Sequence, residues 1–169
     1  MGDNPRNSPS PFNSAVESGL RAIVLLAASS PRGCDLRRLV VYDYLLVHSD
    51  DAPDGPTSLH PRTPHRSGEL LVRRKMLQDG LVLMISRELV ATDYSDDGIT
   101  FRATELTNGF LRYLQSDYAR DLQDRAGWVV ENFGSYSDED LTIFAMSHLR
   151  DWGGEFVNES LVRHPEAWT

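Results

Sequence analysis

Apolar residues recur at helical spacing along most of the chain. In "SAVESGLRAIVLLAASS" Val16, Leu20, Ile23, Val24 and Ala27 share one face, and Leu25 and Leu26 widen it. So wide a stripe predicts a helix buried on most sides. Asn13 or Ser14 is placed to cap it, Glu17 completes a capping box after Ser14, and Pro31 stops it. A second helix, "DLRRLVVYDYLLVHS", opens on Asp35 as cap. Leu36, Leu39, Val40, Leu46 and Val47 form its apolar face, with Tyr42 and Tyr44 at the rim. Residues 49–66 break the period with Pro53, Pro56, Pro61, Pro64 and Gly55 and predict a loop without regular structure, long enough to be functional.

Helical spacing resumes at Ser67 in "SGELLVRRKMLQDG", with Gly80 as the expected C-cap, and a short helix "LVLMISREL" is expected to follow. The pattern then changes. "LVATDY" and "ITFRAT" read as strands on either side of "SDDG", where Asp97-Gly98 signals a hairpin turn. Thr104 is set to cap "ELTNGFLRYLQ". Ser116 or Asp117 starts "YARDLQDRAGWVVENFG", ended by Gly134. Ser137 opens "SDEDLTIFAMSHLRDWGGEF", with acids in the first turn where the helix dipole favours them.

Several helices, a β-hairpin and then more helices predict a mainly α fold with a small β-hairpin. A short helix running into an Asp-Gly hairpin is the pattern of a winged helix-turn-helix-like domain with extra C-terminal helices; α+β folds also carry such hairpins. The expected organisation is a flexible arm over 1–12, a winged-helix-like domain over 13–116 and a C-terminal helical extension over 117–169.

Charge narrows the functional classes. The 169-residue chain carries a formal charge of -8, which opposes general attraction to nucleic acid or anionic membrane. The longest apolar run, "AIVLLAA", falls well short of the roughly 18 residues a membrane span needs. The N-terminal "MGDNPRNSPSPF" lacks the basic and apolar regions of a signal peptide and does not fit the myristoylation pattern. A single cysteine, Cys34, allows no intramolecular disulfide, as suits a reducing compartment. A cytoplasmic protein without membrane contact is the expectation.

Recognisable cofactor or catalytic motifs are missing. There is no glycine-rich phosphate loop and no zinc pattern, so no cofactor is expected. Cys34 has no adjacent base, and its plain role is at a helix start. His60 and His65, with Asp50, Asp51 or Asp54, offer metal-ligand types and a metal-dependent hydrolase as one rival reading. Pro61 and Pro64, however, set a backbone without chelating spacing. Asp96, Asp97, Glu105 and Glu139 each have a simpler role in a turn, at a helix start or on a solvated face.

One stretch stands apart, "LHPRTPHRSGELLVRRKM" over 59–76. In it Arg62, Arg66, Arg73, Arg74 and Lys75 face one acid, Glu69, within an acidic chain. Such contrast makes an oriented surface field. A winged-helix DNA-binding transcriptional regulator would place these cations on phosphates. Yet the presumed recognition segment is mostly apolar, with Arg87 alone able to reach a base, and the wing tip is acidic. A protein partner fits better, because the arginine fork makes bidentate carboxylate contacts. The candidate partner-binding residues are His60, Arg62, His65, Arg66, Arg73, Arg74 and Lys75 on one surface and Asp96 and Asp97 on another. The bland reading is a solvated helix face beside an ordered loop.

"SPFNSAVESGLRAIVLL", "DLRRLVVYDYLLVHSDD", the 59–90 stretch through "ISRELV" and "GITFRATELTNGFLRYL" together resemble the middle component, type 2, of bacterial ABC-three-component systems. The resemblance runs from about Ser10 to about Phe156. It implies an accessory subunit without assigned catalysis, in operons similar to Lamassu-like defence systems acting against phage or plasmid DNA. The implied partners are an ABC ATPase of the SMC-like, coiled-coil type and an effector subunit of the same operon, with DNA contact only inside the assembled complex. Homodimerisation through the first or C-terminal helices stays open.

Overall fold

A computed structural model describes residues 14–61 and 69–148. The chain is mainly helical with a small antiparallel sheet. In order come α1 (Ala15–Ser29), β1 (Cys34–Asp35), α2 (Leu36–Val47), a 3-10 turn (Ser49–Asp51), α3 (Glu69–Ser86), β2 (Val90–Ser95), β3 (Gly98–Ala103), α4 (Glu105–Tyr113), α5 (Asp117–Phe133) and α6 (Asp138–His148). No helix among the described residues is long and apolar enough to cross a membrane.

The helix starts follow their capping residues. Ser14 Oγ accepts from Glu17 N–H at 3.1 Å, Asp35 Oδ1 from Arg38 N–H at 2.7 Å, Ser116 Oγ from Ala119 N–H at 3.1 Å and Ser137 Oγ from Asp140 N–H at 3.0 Å. At α4 the Thr107 hydroxyl accepts from Thr104 N–H at 3.0 Å and donates to Leu89 O at 2.6 Å, locking the helix start to the foot of the hairpin.

α1 is the centre of the molecule. From Ser18 to Leu26 almost every side chain is buried, and α3, α5 and α2 pack around it. Leu122, Ala126, Val129 and Phe133 of α5 and Leu141, Phe144 and Ala145 of α6 join the same core. Apolar burial of this kind is the main favourable term in folding.

The sheet has the order β1-β3-β2. β2 and β3 form the expected hairpin, with register Thr92↔Phe101 and Ser95↔Gly98. Asp96 and Asp97 are the two loop residues. The positive φ falls on Gly98, at 125°, and not on Asp97. β1 adds a third strand through Cys34↔Phe101 and Asp35↔Thr100. Two residues after a proline-ended helix, the second of them the cap of α2, carry no period of their own, so this strand is invisible in the sequence.

Two expectations need correction. Residues 69–86 form one helix, not a helix ended at Gly80 and a second short one. Gly80 has no positive φ and lies inside α3, where the backbone of α1 crosses it at Gly19. The helix ends later, where Leu89 N–H bonds Met84 O at 3.0 Å and Glu88 takes the left-handed position at φ 59°. The described part of the proline-rich loop, up to residue 61, is also more regular than expected. It contains the 3-10 turn, and the N–H groups of Leu59 and His60 both bond Val47 O at 3.0 Å. Arg125 of α5 holds it from outside by donating to Thr57 O at 2.6 Å. The arm over 1–12, the helix start at Ser67 and the tail beyond His148 lie outside the described residues.

Candidate functional site: an internal charge network behind the basic stretch

The charges of the basic stretch are organised by a carboxylate that sits far away in sequence. Asp43 lies mid-way along α2 between Tyr42 and Tyr44 and is 0% exposed. Its Oδ1 accepts from Arg21 Nε of α1 at 2.6 Å, and its Oδ2 accepts from Arg73 Nη1 of α3 at 2.7 Å. One acid thus binds three helices together. Burial alone would raise the Asp43 carboxyl; the flanking Arg21 and Arg73 guanidiniums overcome that and hold it below the usual carboxylate range. Arg73 also lies over the Tyr44 ring, 5.4 Å from its centroid.

The network continues outward. Arg21 Nη1 is 3.6 Å from Glu17 Oε1, to which Tyr118 of α5 donates its hydroxyl proton at 2.6 Å. The Tyr118 oxygen is then left to accept from His60 Nε2 at 2.7 Å, so this ring nitrogen carries the proton of a neutral imidazole. The two rings stack with centroids 6.0 Å apart. Burial first, and then the nearby Arg21 charge, push the His60 ring down to about 4.

That shift carries a pH consequence. A histidine whose folded value is depressed leaves the fold at full stability above its unfolded value near 6.5, and stability is lost as pH falls from there to the folded value, because only the unfolded chain takes up the proton in that window. Between pH 7 and pH 5 the chain should therefore lose about 1 kcal/mol through His60, after allowing for partial exposure of the ring. His48, pushed down by burial and then by Arg73, acts in the same sense. Urea unfolding at the two pH values should show a smaller loss for His60→Gln than for the natural chain; equal losses would remove His60 from the account.

The nominated residues have different fates. His60 and Arg73 meet in this internal network. Arg74 is half-buried on the next position of α3. Lys75 points outward and pairs with Asp79 one turn on, at 2.5 Å. Asp96 and Asp97 are exposed at the hairpin tip. Arg62, His65 and Arg66 lie outside the described residues. Among the described residues, no three His, Cys, Asp or Glu side chains converge as metal ligands would. Cys34 is buried, and burial pushes its thiol up, as for structural thiols.

Sequence reasoning missed Glu17, Arg21, Asp43 and Tyr118. The signal available was a lone charge inside an apolar run: Arg21 in "GLRAIVLL" and Asp43 in "VVYDYLLV". It also missed Arg38, whose guanidinium is buried behind α2. Arg38 donates to Asp138 Oδ1 at 2.7 Å, Tyr136 O at 2.6 Å and the Tyr42 hydroxyl at 2.9 Å, tying α2 to the α5–α6 turn. A groove of about 370 Å³ between α1, α4 and α5, lined by Val24, Ala28, Asn108, Leu111 and Arg112 among others, contains none of the nominated residues.

What remains on the outside is an apolar and mixed-charge surface on α3, the hairpin and α4. Leu71, Val82 and Ile85 of α3, Tyr94 and Ile99 facing each other across the hairpin, and Leu106 and Tyr113 of α4 are all exposed. A mainly helical body that neutralises Arg21 and Arg73 internally and exposes these apolar side chains suits a role as one part of a larger assembly. Such a role agrees with the comparisons: the chain belongs to the components of ABC-three component systems, and the family model matched over residues 11–155 is that of Middle Component 2. No curated protein and no solved structure matches the chain.

Proposed function

We propose that this chain is a non-enzymatic accessory subunit that bridges an SMC-like ABC ATPase and an effector component of the same system. It works in the cytoplasm through protein contacts, as part of a Lamassu-like antiviral defence complex. Membership in a middle-component family implies partnership with the other components. The observation that carries the reading is the fate of the cations. Arg21 and Arg73 are held by a buried carboxylate, Lys75 is paired, and the hairpin tip presents Asp96 and Asp97. Such a surface repels phosphate, whereas exposed apolar residues beside it favour a polypeptide.

The order of three helices followed by a hairpin also suits a winged helix, and it favours one second reading, a DNA-binding regulator. The two separate cleanly. Co-expression with the ATPase and effector components of the system should give one complex, and leaving this chain out should split the other two apart. Asp96→Lys with Asp97→Lys should weaken one of the two contacts by about tenfold, as reversing charges at an interface does. A complex of the other two that forms equally well without this chain would overturn the bridging role. A salt-sensitive shift of duplex DNA by the isolated chain would favour the regulator.

A further inference from the structure

α3 shows two faces of unlike character. One packs on α1 through Leu77, Gly80, Leu81 and Met84. A second face, turned part of the way round the helix from the first, carries Leu71, Lys75, Gln78, Val82 and Ile85, three apolar and two polar residues at alternating steps of four and three. That is the 3.5-residue period of a coiled-coil seam, which differs from the wider stripe of a helix buried in a domain core. Leu71 and Val82 are 65% and 67% exposed and Ile85 38%. The seam is about 21 Å long at 1.5 Å per residue.

We infer that this outer seam of α3 docks an α-helix of another component of the system. That helix would present apolar residues at matching steps of three and four and a carboxylate opposite Lys75. The inference deepens the bridging role proposed above and rests on it.

Two observations select this occupant. The first is charge. Lys75 stands inside the apolar row, held by the exposed Asp79 pair, which contributes little in water and can be shared with an incoming acid. A second copy of this chain would bring a net charge of -8 toward another of -8. The second is size. One helix face of this length covers far less than the roughly 1,200 Å² of a stable self-assembly. It serves as one contact among several in a complex held together elsewhere as well. Seam periodicity also disfavours nucleic acid, since apolar knobs at coiled-coil spacing have no counterpart in a phosphate backbone.

The test uses the full-length chain co-expressed with the other components of the system. Val82→Asp with Ile85→Asp places two charges in the seam on an already exposed face, so the melting temperature should hold within a degree or two while complex yield falls at least tenfold. Lys75→Glu should lower the yield several-fold. Ile143→Asp, exposed on α6 and away from the α3, hairpin and α4 surface, should leave it unchanged. Wild-type yield for the Val82/Ile85 variant would overturn the seam while the bridging reading stands. Failure of the natural chain to form any complex would overturn both. A dimer of the isolated natural chain that the Val82/Ile85 variant makes monomeric would assign the seam to self-association and overturn the inference.

Discussion

Asp43→Asn should lower the stability of the chain by about 3–5 kcal/mol, the usual effect of removing one partner from a buried ion network. The reason is geometric. Asparagine keeps the shape but carries no charge, so Arg21 and Arg73, pinned against it at 2.6 and 2.7 Å, are left as cations with little water around them. For a chain of this length the melting temperature should drop by roughly 10 °C. Asp79→Asn, which breaks the exposed pair with Lys75, should change stability by less than about 0.5 kcal/mol. Replacing all three members together, Arg21→Met, Asp43→Leu and Arg73→Met, should recover much of the loss, because an apolar cluster has no stranded charge. Urea denaturation of the four proteins gives the comparison. A single Asp43→Asn variant as stable as Asp79→Asn would mean that water reaches the network. By the same logic, charge reversal at Arg73 disrupts the fold before it disrupts any partner contact.

The second large effect is expected at Gly80. Alanine is normally the better helix former by about 1 kcal/mol. Here a Cβ would lie 2.4 Å from Gly19 N and 2.9 Å from Gly19 Cα, backbone atoms that cannot swing aside. Gly80→Ala should therefore push α3 off α1 and cost about 3 kcal/mol, at the upper end of ordinary overpacking. Gly127→Ala in α5, where a Cβ meets nothing within 4 Å, should instead stabilise by up to about 1 kcal/mol. Opposite signs for two glycines inside helices, read from thermal melts, would establish that the α1–α3 crossing and not helix propensity keeps Gly80. Equal signs would contradict it.

These two positions also mark where the sequence stops being legible. Caps are local: Ser14, Asp35, Ser116 and Ser137 were readable because each side chain acts within three residues of itself, whereas at α4 the Thr107 hydroxyl takes the Thr104 N–H and the Thr104 hydroxyl turns back to Glu88 O. The hairpin was readable because alternation and an Asp-Gly turn are short-range signals. Gly80 looked like a stop because a glycine after a helical run usually is one; its role depends on Gly19, sixty-one positions earlier. Arg73 looked like part of an outward ridge because Lys75 and Arg74 follow it. Its direction is set by Asp43, thirty residues away and hidden in an apolar run. The exposed seam of α3 was obscured for a related reason. Apolar residues on all sides of "ELLVRRKMLQDGLVLMIS" do not reveal which of them the fold covers until α1 is in place.

The central claim is that this chain acts as a bridging part of a multi-component ATPase system, and the most direct measurement is the mass of the assembled complex. Light scattering on the co-expressed components, with and without this chain, should give a single species containing all three in the first case and separate ATPase and effector in the second. Elution of this chain alone, beside an ATPase–effector complex that is already whole, would contradict the account.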